Sequence, residues 1–141
     1  MIKLVSFKNI DDASMYPNIS LHVDHPVVFR AVKNANSLTV DDFLPSNINN
    51  MHQLKTFKRQ VNPGDYSLSV FTDLDSLKRI LSYCPALLEK TKALAKGFTT
   101  ISRGISYQEN SEHHVDYFLY DYENNSPKDD FAIVEVINYE E

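Results

Sequence analysis

Strand-like segments follow one another after residue 100 with no helical periodicity between them, and this limits the fold more than any other feature of the chain. Residues 115–120 and 131–139 both read as strands. In the second, Phe131, Ile133, Glu135 and Ile137 share one face, and Ala132, Val134, Val136 and Asn138 share the other, because successive strand side chains point to opposite sides. Parallel neighbours need a crossover of about a dozen residues, usually a helix, and antiparallel neighbours do not. The order of segments therefore favours an α+β domain with a mainly antiparallel or mixed sheet over a doubly wound one.

Earlier segments fit the same class. Ile2, Leu4 and Ser6 alternate with Lys3, Val5 and Phe7 as a first strand. The β-branched and aromatic run Val27-Val28-Phe29-Arg30-Ala31-Val32 predicts a mostly buried strand. Thr39 suits the N-cap of a short turn through Asp41, Asp42, Phe43 and Leu44. Residues 66–71 alternate as a strand, and Thr72 or Asp73 then caps a helix with Leu74, Leu77, Ile80 and Leu81 on one face. Pro85 interrupts that helix; residues 86–92 form a further short one with Leu87 and Leu88 turned inward, and residues 93–101 contain a strand. Turn-forming residues place loops at 44–65, 106–112 and 123–129. The expectation is one domain over residues 1–141, with about five to six strands and two to three short helices.

Composition narrows the function classes. Cys84 is the only cysteine, so neither an internal disulfide nor a multi-thiolate metal site can form within one chain. Cys84 precedes Pro85 at a helix end, where the dipole disfavours a thiolate, and a buried, inert thiol is expected. The 3 glycines, Gly64, Gly97 and Gly104, are too scattered for a phosphate-cradling loop. Neither a signal peptide nor a membrane span is evident, so a cytoplasmic location is the default. The formal charge of −5 divides unevenly. Residues 1–103 carry 13 basic and 9 acidic side chains, a balance of +4, and residues 104–141 carry 1 basic and 10 acidic, a balance of −9. The small basic cluster Lys55, Lys58 and Arg59 around Phe57 is a weak nucleic-acid footprint in such a chain.

Several polar residues are candidates for chemistry. In His113-His114-Val115-Asp116, His114 and Asp116 share one strand face, where a carboxylate can orient an imidazole for acid–base work. Ser67 and Ser69 likewise share a face, for ligand binding or for bonds to neighbouring backbone; no Gly-x-Ser-x-Gly elbow surrounds either. Arg30 interrupts an apolar strand and must meet a partner, a ligand or solvent: a carboxylate or phosphate clamp, or a pairing with Asp41 or Asp42. The segment His22-Val23-Asp24-His25 looks ligand-like, but positions three apart diverge on a strand, so solvated loop histidines are expected.

The ordered blocks Phe29-Arg30-Ala31-Val32, Asp41-Asp42-Phe43-Leu44, Leu68-Ser69-Val70-Phe71 and His113-His114 resemble a family of small uncharacterised bacterial proteins, over about residues 27–137. Ser67 stands where members tend to carry Gly, and Tyr117 or Phe118 where they tend to carry Trp. The order of an early Arg, a middle Ser and a late polar residue is similar to that of ADP-ribosyltransferase-like folds. That resemblance implies a small NAD- or nucleotide-binding enzyme with NAD as substrate and no required cofactor. Arg30 would hold the phosphates, Ser69 would support the nicotinamide side, and His113 or His114 would stand in for the usual Glu.

A second class is a non-enzymatic interaction module, such as an inhibitor, immunity protein or antitoxin. Its surface would be the acidic, Tyr-rich end, with Tyr117, Tyr120, Asp121, Tyr122 and Glu123 facing a basic protein partner.

Overall fold

The structure, a computed structural model, describes residues 19–44, 67–108, 113–119 and 125–137. The expected strand at 2–7, the basic cluster at 55–59 and nearly all of the 44–65 connection lie outside these residues.

Among the described residues six strands form one sheet: β1 (His25–Val32), β2 (Leu68–Phe71), β3 (Ala93–Thr99), β4 (Gly104–Tyr107), β5 (His114–Leu119) and β6 (Phe131–Val136). Their order is β4-β5-β2-β1-β3-β6, and every adjacent pair is antiparallel. β2 and β3 flank β1 and both oppose it, so they run the same way and their connection has to cross the sheet. The helices α1 (Leu74–Tyr83) and α2 (Pro85–Lys90) make that crossing. The fold is α+β, with its helical crossover confined to this one connection among the described residues.

One side of the sheet covers a core of Val28, Val32, Leu68, Val70, Ala93, Ala95, Val115, Tyr117 and Leu119, closed by Phe43 and Phe131. Each large apolar side chain buried there contributes roughly 1.5–3 kcal/mol relative to exposure. The other side packs α1 and α2 through Phe71, Leu77, Leu81 and Leu94. Asp73 is the cap of α1: its carboxylate accepts the Ser76 N–H at 2.9 Å. Pro85 occupies the first turn of α2, where its missing N–H costs nothing. Leu88 packs inward as expected, while Leu87 and Ile80 are exposed. Cys84 ends α1 and opens α2, and it is exposed rather than buried.

The expected loop at 106–112 begins too early, since Ser106 and Tyr107 belong to β4. This strand has only four residues and opens on Gly104, which weakens its alternation signal. A Cβ at Gly104 would stand 2.2 Å from the Phe118 carbonyl oxygen, so the close approach of β4 to β5 needs glycine there.

Candidate functional site

The site begins where the sheet is imperfect. β1 pairs with β3 along most of its length, from His25 opposite Thr99 to Val32 opposite Ala93. With β2 it shares one partnered position, Phe29 opposite Phe71, and beyond it the strands part. Arg30 crosses this gap. Its Nε donates to the Asp42 carbonyl oxygen at 2.8 Å and its Nη1 donates to the Ser69 carbonyl oxygen at 2.9 Å. Its guanidinium carbon lies 5.8 Å from the centre of the Phe43 ring.

Asp42 is thus the neighbour of Arg30, but through its main chain. Its buried carboxylate instead accepts the N–H groups of Lys33 and Thr39 at 2.8 and 2.9 Å and the side-chain amide of Asn34 at 2.9 Å. It ties the chain after β1 to the turn at Val40–Phe43. Burial lowers the Arg30 pKa from 12.5 to about 10, against the raising influence of the Asp42 charge. The guanidinium therefore stays charged at neutral pH.

The polar residues of β2 and β5 meet on the helix side of the sheet. Ser69 lies opposite Asp116, and Phe71 opposite His114. Facing residues of an antiparallel pair project to the same side, so two sequence-adjacent rows merge into one patch. His114 Nε2 lies 2.9 Å from Ser69 Oγ and 3.8 Å from Asp116 Oδ1. The Ser67 hydroxyl donates to Asp116 Oδ1 at 3.0 Å. Phe71 meets the His114 ring edge-on, with centroids 5.3 Å apart.

A cavity of about 940 Å³ opens over this patch, in the gap between β1 and β2 and beneath α1 and α2. Its polar wall includes Arg30, Ser67, Ser69 and His114. Lys33, Lys90 and Phe71 line it as well. Leu77, Ile80, Ala86 and Leu87 supply an apolar roof. Its lining contains three cationic side chains, Arg30, Lys33 and Lys90, and no carboxylate.

Other expected residues are placed elsewhere. His113 precedes β5, is absent from the cavity lining, and contacts Thr72 through its carbonyl oxygen at 2.9 Å and its Nδ1 at 3.3 Å. Tyr117 is fully buried, which removes it from any partner-binding surface. Its side chain points into the core, where its hydroxyl accepts the Thr100 N–H at 3.2 Å. Burial pushes its pKa up to about 12. Tyr120, Asp121, Tyr122 and Glu123 lie outside the described residues.

His22 and His25 are not solvated loop residues. The Ser106 N–H donates to His22 Nδ1 at 3.0 Å, which places the ring proton on Nε2, where it is donated to Asp24 at 2.6 Å. His25 Nδ1 lies 2.8 Å from the Ser106 hydroxyl. Together they fasten the chain before β1 to the outer edge of β4. Among the described residues, no group of three His, Cys, Asp or Glu side chains could hold a metal ion. No helix there is long and apolar enough to cross a membrane.

Lys33 and Lys90 carried no recognisable signal in the sequence. They lie far apart along the chain and line one cavity because the chain after α2 returns to the end of β1, where the Lys92 N–H donates to the Val32 carbonyl oxygen at 2.8 Å. Comparison with protein-family models, with curated proteins and with solved structures finds no match to this chain. The resemblances drawn above therefore rest on the quoted residues alone.

Proposed function

We propose that the cavity between β1, β2 and the two helices binds a phosphate-bearing small molecule of the nucleotide class, with NAD the substrate type that the resemblance implies. The observation that carries this is the charge of the lining: three cationic side chains and no carboxylate, in a chain whose net charge is −5. A cavity of about 940 Å³ lies within the range of roughly 300–1,000 Å³ that holds small organic ligands. Arg30 supports the same reading. Its desolvated charge is bonded to two neutral carbonyl oxygens, and a bound anion would offset the cost of its burial. Ser67, Ser69 and His114 add polar groups to the same lining.

The test is a thermal-shift and calorimetry series with NAD, ADP-ribose, AMP and the neutral nucleoside adenosine. A phosphate-bearing ligand at 100 times its Kd is expected to add about 2.7 kcal/mol of stability. Adenosine is expected to bind at least tenfold more weakly than AMP. The double variant Lys33→Ala, Lys90→Ala is expected to lower AMP affinity and to flatten its salt dependence. Equal binding of AMP and adenosine, or no shift with any of the four, would remove the proposal.

A further inference from the structure

We propose that Ser69 is a nucleophile, activated by His114, that accepts an acyl group from an anionic ester bound in the cavity. This rests on the anion-binding reading above and adds a reaction to it. The lining residues fall into two sets of different chemistry. Arg30, Lys33 and Lys90 provide positive charge. Ser69 and His114 form a hydroxyl–imidazole pair 2.9 Å apart, a separation suited to proton transfer.

Reactive serines are often lifted into reach by a sharp strand-to-helix turn. Ser69 has no such turn; it sits within β2. Its access comes instead from the parting of β1 and β2, which leaves its hydroxyl on the cavity wall. Arg30 holds the Ser69 carbonyl oxygen at 2.9 Å and so fixes the backbone that carries the nucleophile. Asp116 lies 3.8 Å from the same imidazole nitrogen that faces Ser69. It faces the nitrogen that takes the proton, and it is a positioning residue rather than part of a linear relay.

The step balances within the site. Ser69 Oγ bonds to the ester carbonyl carbon while its proton passes to His114 Nε2. The bond from that carbon to the leaving oxygen breaks, and His114 returns the proton to that oxygen. Water then hydrolyses the acyl-serine by the reverse use of His114, releasing a carboxylic acid. No metal, oxidant or reductant is needed.

The experiment treats the full chain with an alkyl fluorophosphonate, followed by intact-mass measurement and peptide mapping. Here Ser69 Oγ bonds to phosphorus, fluoride leaves, and the hydroxyl proton goes to His114. One adduct on Ser69 is expected. Ser69→Ala should abolish it, His114→Gln should slow it by about 10²-fold or more, and Ser82→Ala, on the exposed side of α1, should leave it unchanged. AMP at saturating concentration should protect Ser69. Absence of an adduct on Ser69 in folded protein would overturn the nucleophile, as would labelling at equal rate in His114→Gln. If AMP still binds in that case, the nucleophile alone has failed; loss of AMP binding identifies failure of the cavity reading.

Discussion

The two seams of β1 show what a sheet gains and loses when one ladder is left incomplete. Toward β3, main-chain pairing runs from His25 to Val32, and Lys92 N–H extends it by donating to the Val32 carbonyl oxygen at 2.8 Å. Toward β2, pairing stops at Phe29, and a side chain takes over: Arg30 satisfies the Ser69 carbonyl oxygen that a neighbouring strand would otherwise engage. The seam with β3 is paired at every position from Val28 to Val32, with an irregularity between His25 and Val28. The incomplete one carries a desolvated charge and opens a cavity whose walls are polar on one side and apolar on the other. The same strand is therefore scaffold on one edge and candidate site on the other.

Breaking the open seam should have the largest effect on stability. Arg30→Met removes the donors to two partly buried carbonyl oxygens, and each such loss costs about 1–3 kcal/mol. A total of about 2–6 kcal/mol is expected from urea unfolding. Arg30→Lys should recover less than half of it, because one ammonium cannot reproduce the fork of the guanidinium. A loss below about 1 kcal/mol in Arg30→Met would show that the seam does not depend on this residue.

A smaller effect is expected on the closed side. Gly97 lies opposite Val28 on β3, and a Cβ there would stand 2.4 Å from the Phe131 ring and 2.5 Å from the Asp130 carbonyl oxygen. Phe131 can swing only partly and the main-chain oxygen hardly at all. Gly97→Ala is expected to cost about 1–3 kcal/mol through overpacking, with AMP binding retained per folded molecule. An equally large loss of binding affinity would mean that the two seams are not separable.

The smallest effect is a pH dependence at the start of β1, where the His25 N–H donates to Thr99 Oγ1 at 3.0 Å. Burial lowers the His25 pKa from 6.5, with the Val23 carbonyl and Asp24 opposing. Below its ordinary pKa the unfolded chain binds the proton more readily than the folded one. The stability contribution is therefore complete above about pH 6.5 and is lost as pH falls through the lower, folded value. Urea midpoints measured at pH 7.5 and 5 should show a smaller drop in His25→Gln than in the natural chain. An unchanged drop would assign the dependence to other groups.

Much of the scaffold could be read from residue patterns. The run from Val27 to Val32, the cap and apolar face of α1, the interruption at Pro85 and the alternation of β6 all follow from short-range rules. β4 escaped notice because four residues beginning with glycine carry too little alternation. Cys84 and Tyr117 were misread for a different reason. Their neighbours in sequence do not determine how far a helix corner is exposed or which face of an internal strand meets the core.

By itself the sequence determined that Ser67 and Ser69 share a face and that His114 and Asp116 share a face, because side-chain direction alternates locally along a strand. Local geometry also required Arg30 to find a polar partner. Tertiary structure alone decided that β2 and β5 lie side by side in the register that sets Ser69 opposite Asp116, joining the two rows. It also decided that β1 and β2 pair only at Phe29 and Phe71, and that α2 brings Lys90 into the lining of the adjoining cavity. Strand order and register arise from packing between distant segments, and the spacing of residues along any one segment carries no record of them.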